Sequence, residues 1–465
     1  MTSEAAGRAR GTRPSGGPRP DRGDLRQLYV WTWLPQAQDP VVAGVLTPTG
    51  SHLAGQEVLN FTYANSYRAH PKATSLFAPE LPLVPGTFNP TVPGRPLPFG
   101  ADLSGTGMLG TGGAPVPSRR RSPLAMHGCL RDAAPDAWGR RVINLRLAGD
   151  PEVELSELSY LAAAGSDRIG ALDFQGSATT YVARGDGATL EQLILMAELV
   201  EAGEELPADL AAAAGHGTSI GGARPKALLE DRDRHLIAKF PSSTDTRPVV
   251  KAEAAAMLLA ARVGINVAPV ELRHVAGRDV LLVERFDRPS VGGRRQMLSA
   301  LTVLGYDELG SRHASYAELA EAVRTGPWTK PGDTLRELYT RLVFNVCVGN
   351  NDDHLRNHAA FWDGARLELT PAYDLAPSPR STAVSSQAIG ITRNQDRASQ
   401  LRLCRQVATE FQLRRAEAEQ VIEAVVSTIH QDWDEVCDQA RLTQAERDTL
   451  WQREFLNPYI FYDQP

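Results

Sequence analysis

Apolar residues in the first part of the chain follow the pattern of β-strands. Residues 28–34, 41–46 and 59–63 are rich in β-branched and aromatic side chains, with turn-forming residues between them. These runs predict a small strand-rich unit. Two later stretches, 227–240 and 358–370, each place two short apolar runs around a polar turn, which predicts a β-hairpin in each.

Helical spacing of apolar residues takes over in the rest of the chain. Asp136 and Ser156 stand where helix-capping residues belong, directly ahead of periodic segments. The predicted helices cover residues 137–147, 156–164, 251–263, 316–324, 335–348 and 414–429. Because the predicted strands lie mainly early and the helices mainly late, we expect an α+β chain.

The composition is that of an ordinary folded protein. Of the 465 residues, 42% are hydrophobic and 22% charged, which excludes wholesale disorder. The length allows about three structural units. The net charge of -6 has the wrong sign for a protein that coats nucleic acid through its phosphates. No apolar run is long enough for a spanning helix, so we expect no membrane segment.

The cysteines and the amino terminus bear on localisation. The four cysteines lie far apart, with no CxxC pair and no zinc-type cluster: Cys129, Cys347, Cys404 and Cys437. Buried thiols in a reducing cytosol are the simplest interpretation, so we expect a cytoplasmic protein. Residues 1–26 lack a signal-peptide core and hold six arginines against three acidic residues, which predicts a flexible tail.

A glycine-dense turn at residues 215–226 leads into the first predicted hairpin. Glycines let backbone N–H groups approach a phosphate closely, although a plain turn fits the same residues. Lys239 lies near the end of this hairpin, and Glu253 follows in the next apolar helix. In protein kinases this order places a phosphate-binding lysine beside the glutamate that orients it; two unrelated surface residues are the alternative.

The segment 342–357 carries the strongest chemical signal. An apolar helix runs directly into a cluster of oxygen-bearing side chains, in which Asp352 precedes Asn357 by five positions. This offset equals that between the catalytic Asp and the magnesium-binding Asn of a kinase catalytic loop, and Asp374 follows the next hairpin as the second magnesium ligand does in kinases. Asn357 and Asp374 supply the oxygen ligands that Mg²⁺ prefers.

Asp352 is then the candidate general base, which would take the proton of the acceptor hydroxyl. Asp353 and His354 compete for this role, and the spacing to Asn357 is what favours Asp352. A polar, capped helix end without any chemistry is the alternative for the whole cluster.

The apolar run at residues 280–288 ends in charged residues. In a kinase this position is the hinge, where the backbone of Glu284 and Phe286 would contact adenine. A core strand with an ordinary polar exit explains the apolar part equally well.

Six motifs in this order resemble those of the HipA family, the serine/threonine kinase toxins of bacterial toxin–antitoxin pairs. They are Asp132-Ala-Ala-Pro-Asp-Ala-Trp-Gly-Arg140, Thr218-Ser-Ile-Gly-Gly-Ala-Arg-Pro-Lys226, Ala238-Lys-Phe-Pro241, Val283-Glu-Arg-Phe-Asp-Arg288, Asn350-Asn-Asp-Asp-His-Leu-Arg-Asn357 and Pro371-Ala-Tyr-Asp-Leu375. The resemblance runs from about residue 28 to the mid 430s. It implies a two-lobed, protein-kinase-like fold with an additional strand-rich amino-terminal subdomain and a mainly helical carboxyl-terminal lobe.

The resemblance also implies roles for individual residues. Ser219 would be autophosphorylated, which would expel the glycine-rich loop from the site and switch the enzyme off. Asp352 would be the catalytic base, and Asn357 and Asp374 would hold Mg²⁺. The residues implied in ATP binding are Gly221, Gly222, Ala223, Lys239, Glu284, Phe286, His354 and Asn357.

We expect four regions along the chain. They are a flexible tail over 1–26, a strand-rich HipA-like subdomain with a long Gly/Pro loop over 27–130, a kinase N-lobe with the glycine-rich loop over 131–285, and a helical C-lobe with the catalytic loop over 286–465. The Arg-rich tail and the Gly/Pro stretch near 105–121 match no part of the family pattern.

The function implied is that of an ATP- and Mg²⁺-dependent serine/threonine protein kinase, the toxin of a type II pair. Its implied partners are a separately encoded helix-turn-helix antitoxin of the HipB type, through which alone it would meet DNA, and a protein substrate such as an aminoacyl-tRNA synthetase. Two other functions stay open: a catalytically weak nucleotide-binding corepressor acting with that antitoxin, and a small-molecule kinase that shares only the phosphoryl-transfer residues.

Overall fold

The structure is a computed structural model, in which the described residues form three antiparallel sheets with helices packed around them. It describes residues 25–91, 123–185, 188–207, 210, 214–218, 222–379 and 384–462. Most of the predicted tail and the Gly/Pro stretch at 92–122 therefore lie outside the described residues.

The first sheet confirms the predicted strand-rich unit and adds a strand to it. Its strands are β1 (Leu28–Thr32), β2 (Val41–Leu53), β3 (Gln56–Tyr63), β4 (Thr87–Phe88) and β5 (Leu172–Gln175), in the order β4-β3-β2-β1-β5. Gly44 is needed in β2, because a Cβ there would lie 2.3 Å from the carbonyl oxygen of Thr62. β5 comes from the range expected to be the N-lobe, and the division into four regions stays a prediction.

The second sheet carries Lys239 at the end of one strand. It consists of β6 (Lys226–Asp231), β7 (Arg234–Lys239), β8 (Val270–Val275) and β9 (Arg278–Glu284), in the order β6-β7-β9-β8. Alternate residues of β9 face opposite layers. Val280 and Leu282 pack in a core with the helices Ala137–Ala148 and Leu190–Ala202, whereas Leu281 and Val283 pack in the large helical core.

The helices confirm most of the predicted segments. The described helices are α1 (Asn65–Arg68), α2 (Gly128–Arg131), α3 (Ala137–Ala148), α4 (Glu157–Ala163), α5 (Leu190–Ala202), α6 (Val249–Val263), α7 (Ala300–Leu304), α8 (Tyr316–Thr325), α9 (Pro331–Val348), α10 (Leu401–Val407), α11 (Arg415–Gln439) and α12 (Gln444–Leu450). Asp136 caps α3 by accepting from the N–H of Gly139, and Ser156 caps α4 by accepting from that of Ser159, as predicted. Within the described part of the chain, no helix is long and apolar enough to cross a membrane.

Two helices are longer than predicted. α9 begins at Pro331 rather than at residue 335, since a proline fits the first turn of a helix, where its missing N–H costs nothing. α11 continues ten residues past the predicted end, to Gln439, and Trp433 on this extension is buried in the large core. Tertiary burial thus extends the helix beyond its most regular apolar pattern.

α9 delivers the chain to the polar segment that follows it. Most of its second half is buried in the large core, and Gly349 ends it with a φ of 69°. A Cβ at Gly349 would lie 2.8 Å from the carbonyl oxygen of Glu454. Glycine is therefore required both for the left-handed turn and for the close approach. A third sheet follows the polar segment, with strands β10 (Met297–Ser299), β11 (Ala359–Trp362) and β12 (Leu367–Leu369).

A buried ion cluster fixes the polar exit of β9 to the segment before β5. Arg285 bonds Asp287 at 2.8 Å and Asp167 at 2.8 Å, and Arg288 bonds the same two carboxylates. Asp287 also accepts from the N–H of Gly170 at 2.7 Å. Burial opposes the charged form of Asp287, but Arg285 and Arg288 outweigh it and lower its pKa below the ordinary value.

Removing one member of this cluster should destabilise the fold strongly. We expect Asp287→Ala to lower the free energy of unfolding by about 3 to 5 kcal/mol, because it leaves two buried guanidinium groups short of a partner. The matched control is Glu368→Ala, which removes an exposed partner of Arg295 and should cost less than about 1 kcal/mol. Urea unfolding followed by tryptophan fluorescence measures both, and equal losses would contradict the assignment.

Candidate active site

Lys239 lies between two carboxylates that come from different parts of the chain. Its Nζ is 2.5 Å from Oε1 of Glu253 in α6 and 2.5 Å from Oδ1 of Asp374, which lies beyond the third sheet. The predicted pairing of Lys239 with Glu253 is therefore present. The side chain of Glu253 is 7% exposed, whereas that of Asp374 is 44% exposed and open to a ligand.

The charges of this trio stabilise one another. Burial disfavours the ammonium of Lys239, but Asp374 and Glu253 together outweigh that cost and raise its pKa above the ordinary value. The Lys239 charge lowers the pKa of Asp374, whereas burial raises the pKa of Glu253. The site therefore presents a cation that is held by the buried Glu253, in the way that a helix glutamate orients the phosphate-binding lysine of a kinase, next to the ionised, accessible carboxylate of Asp374.

Asp374 is held in an uncommon backbone conformation. Its φ is 58°, a left-handed value that is uncommon outside glycine but more frequent for Asp and Asn. The preceding residue, Tyr373, donates its hydroxyl to the carbonyl oxygen of Arg356 at 2.6 Å, and Asn350 reaches the carbonyl oxygen of Asp374 at 3.5 Å. Since Arg356 directly precedes Asn357, these contacts bring Asn357 and Asp374 to the same side of the molecule.

The catalytic-loop segment separates its two neighbouring aspartates by exposure. Asp352 is exposed, whereas Asp353 is 1% exposed and bonded to Tyr316 and to His358. A general base must reach the proton of an incoming hydroxyl. The geometry therefore favours Asp352 over Asp353, as the spacing does. His354 is half-buried, and its Nδ1 has no hydrogen-bond partner among the described residues.

The donor set fits a magnesium ion. Asn357 donates its Nδ2 to the carbonyl oxygen of Asp352 at 3.3 Å, which leaves its Oδ1 as the atom for a cation. The accessible carboxylate of Asp374 supplies the second ligand type. One amide oxygen and one carboxylate, completed by waters and phosphate oxygens, are what Mg²⁺ commonly takes in such sites.

Comparison with known proteins gives a family match for the part of the chain that holds these residues. Residues 218–433 match the family model described as the HipA-like C-terminal domain. This part of the chain is therefore a HipA-like C-terminal domain. The matched range contains Lys239, Glu253, Asp352, Asn357 and Asp374, so every group of the site built above lies within it.

Two relatives match part of this chain. It is 35% identical over 150 residues to Y4mE of Sinorhizobium fredii, whose name gives it as a candidate kinase; the match covers 30% of this chain and 33% of that protein. It is 28% identical over 137 residues to HipA of Shewanella oneidensis, a serine/threonine-protein kinase toxin by name, covering 26% and 32%. The chain thus spans about a third of each relative's length.

A solved structure extends the likeness to nearly the whole chain. It comes from the Shewanella oneidensis MR-1 toxin–antitoxin complex of HipA, HipB and operator DNA. The similarity covers 93% of this chain and 99% of that one, with a TM-score of 0.61 at 17% identity. It confirms the predicted fold class, an α+β, two-lobed, kinase-like fold of the HipA type.

Lys226 is a site residue that the sequence analysis did not single out. It pairs with Lys239 across the β6–β7 hairpin, and its side chain is 6% exposed. Its Nζ lies 3.6 Å from Oδ2 of Asp136, and a Cβ at Gly222 would lie 2.3 Å from that Nζ. The available signal was a charged residue placed between a glycine-rich turn and a buried apolar run. The HipA-like site therefore holds a second lysine beneath the glycine-rich turn.

The two residues predicted to contact adenine, Glu284 and Phe286, differ in the contacts that they already make. The N–H of Glu284 already donates to the carbonyl oxygen of Pro269 at 2.9 Å. The ring of Phe286 packs against Tyr373 at 5.7 Å and Phe361 at 5.9 Å, which sets it beside the strand leading to Asp374. A contact from the N–H of Glu284 to adenine would thus require that bond to open, whereas Phe286 lies close to the site.

The glycine-rich turn is described only in part. Ser219 and Gly221, predicted as the autophosphorylation site and as an ATP contact, lie outside the described residues. Gly222 and Ala223 are exposed, and Gly222 has a φ of 109°. Their predicted contacts with ATP stay predictions.

Asp136 makes the stability of the folded protein depend on pH. Burial raises its pKa to about 6, and the charge of Lys226 offsets this only in part. Since the unfolded chain has a pKa of about 3.9 for Asp, the folded state disfavours the charged form. Stability is then greatest below that unfolded value and falls as the pH rises through about 6.

We expect Asp136→Asn to remove most of this fall. The variant keeps an oxygen that caps α3 but carries no titrating proton. Urea unfolding of both proteins between pH 4.5 and 7 should show the wild type losing on the order of 2 kcal/mol more than the variant. Identical pH slopes would show that Asp136 ionises normally.

Proposed function

We propose that this chain is an ATP- and Mg²⁺-dependent serine/threonine protein kinase. The observation that carries the proposal is the placement of Lys239 between Glu253 and Asp374, beside a loop that exposes Asp352. The trio supplies a fixed positive charge for phosphate, and the loop supplies an accessible carboxylate. The kinase names of two relatives support the same chemistry.

Each residue has one task in the proposed reaction. Lys239 binds phosphate oxygens of ATP, oriented by Glu253, while Asn357 and Asp374 hold Mg²⁺. When bound, the metal neutralises charge on the transferring phosphate. Asp352 orients the acceptor hydroxyl and takes its proton while the hydroxyl oxygen bonds to the γ-phosphorus and the bond to ADP breaks.

Protein serine or threonine is the proposed acceptor, and Ser219 is the proposed site of autophosphorylation. A phosphoserine adds about -1.5 to -2 charges, which would repel the triphosphate from the glycine-rich turn. Phosphorylation there would therefore inhibit the enzyme. The protein substrate is a prediction at the level of a class, with an aminoacyl-tRNA synthetase as the example.

The biological role we propose is that of a toxin neutralised by a HipB-like helix-turn-helix antitoxin. The support is the fold shared with a chain of the HipA, HipB and operator DNA complex. In that arrangement the antitoxin supplies the DNA contacts, which agrees with the net charge of -6 on this chain.

Asp352→Asn tests the proposed base. We expect it to lower phosphoryl transfer from labelled ATP by about 10² to 10⁴ fold, because the hydroxyl proton loses its acceptor. Circular dichroism and the melting temperature should stay unchanged, since the Asp352 side chain is exposed. The matched control is Asp363→Asn, an exposed aspartate in the β11–β12 turn whose N–H contacts an asparagine can keep.

Two outcomes would contradict the proposal. Transfer at the wild-type rate by the Asp352 variant would remove Asp352 from its role. A wild-type protein that binds Mg²⁺ and ATP yet labels neither itself nor any protein in a host lysate would favour the corepressor alternative. Phosphopeptide mapping of the wild type should find Ser219.

A further inference from the structure

A continuous chain of buried polar side chains lies beneath the catalytic loop. His358 contacts Oδ2 of Asp353 through its Nε2 at 3.0 Å, and the hydroxyl of Tyr316 donates to the same oxygen. Asn345 in α9 donates to the Tyr316 hydroxyl at 3.3 Å, and Asn350 donates to Oδ1 of Asn345 at 3.0 Å. We call these five residues the buried polar chain.

Every member of the buried polar chain is removed from solvent. Tyr316 and Asn345 are 0% exposed, Asp353 and Asn350 are 1% exposed, and His358 is 3% exposed. The rings of Tyr316 and His358 also pack edge to face at 5.6 Å. A buried polar group costs stability unless it is bonded, so such a network is costly compared with an apolar core. It also fixes the geometry of whatever it connects.

The buried polar chain connects the two halves of the proposed site. At one end, Asp353 directly follows Asp352 and His358 directly follows Asn357. At the other end, Asn350 reaches the carbonyl oxygen of Asp374 at 3.5 Å. The buried polar chain thus extends from the loop with the proposed base to the backbone of the proposed metal ligand. It does so through α8 and α9, which belong to the large core.

We propose that the buried polar chain is a positioning device for phosphoryl transfer, with Asp353 and Tyr316 as its central positioning residues. None of its side chains is assigned a contact with substrate. They set where Asp352 and Asn357 lie relative to Asp374, and a small displacement in such a site is costly, since about 1 Å can lower a rate by roughly 10² fold. This inference rests on the proposed kinase function.

Tyr316→Phe tests the proposal with the smallest change available. It removes one hydroxyl, so that Asp353 and Asn345 each lose a partner while the ring keeps its packing. We expect kcat to fall by roughly 10 to 10² fold. KM for ATP should change less than kcat, because the variant removes no direct bond of Lys239 or of its two carboxylates.

The matched control is Tyr339→Phe. Tyr339 is also 0% exposed in the same core and donates its hydroxyl to the carbonyl oxygen of Cys404 at 3.2 Å, away from the catalytic loop. Both variants lose one buried hydroxyl, so both should lower the melting temperature. Only Tyr316→Phe should lower kcat. Equal effects of the two variants on kcat would overturn the proposal.

Two substitutions of Asp353 test whether a side chain that keeps its hydrogen bonds also keeps the wild-type kcat. Asp353→Asn can keep an oxygen at the position of Oδ2, where it accepts from the Tyr316 hydroxyl and contacts Nε2 of His358, so it should retain most of the wild-type kcat. Asp353→Ala removes both bonds and should behave like Tyr316→Phe or worse. If the two variants at Asp353 fold and lower kcat alike, hydrogen bonding there does not position the loop.

Hydrogen–deuterium exchange separates this proposal from the kinase proposal. Tyr316→Phe should speed exchange of the amides at residues 350–358, whereas Tyr339→Phe should leave them near the wild-type rate. Unchanged exchange in Tyr316→Phe would overturn the positioning claim whatever the enzyme does. A wild-type protein that transfers no phosphoryl group would instead refute the kinase function. Faster exchange in Tyr316→Phe would in that case still show that the buried polar chain holds the loop.

Discussion

The pairing of Lys239 with both Glu253 and Asp374 is the constraint on which the site depends. An ammonium of low exposure needs a nearby anion, and here one anion comes from α6 and the other from the segment after the third sheet. The ion pairs therefore join the strand of the second sheet to the helical part of the chain. Because the side chain of Asp374 is 44% exposed, its carboxylate stays accessible to a ligand while it bonds Lys239.

Two buried networks hold the segments around this site. The cluster around Asp287 fixes the exit of β9 to the segment before β5, and the buried polar chain holds the catalytic loop against α8 and α9. Both consist of charged or polar groups where apolar packing would be simpler. Such groups give direction as well as attachment, since a hydrogen bond sets an orientation that apolar contact does not. Rigid support of this kind is what a reaction without covalent protein chemistry requires.

Much of the site could be predicted from local signals, and the rest depends on burial. The five-residue offset between Asp352 and Asn357 is visible along the chain, and so is the order of loop, hairpin and Asp374. Of these, the structure confirms the hairpin, as β11 and β12. The spacing to Asn357 favours Asp352 over Asp353, but the difference in exposure between these two neighbours depends on the fold of the segment after α9 and could not be predicted from the spacing. The sequence analysis missed Lys226 because only the pairing of β6 with β7 brings it opposite Lys239.

The most direct test of the account is the position of the metal in a crystal of the protein with Mn²⁺ and a non-hydrolysable ATP analogue. We expect an anomalous Mn²⁺ peak within coordination distance of both Asn357 Oδ1 and Asp374, with Lys239 on a phosphate oxygen. A peak elsewhere, for example between Asp167, Glu230 and His235, whose ligand atoms lie within 4.8 Å of one another, would contradict it. So would an analogue bound away from Lys239.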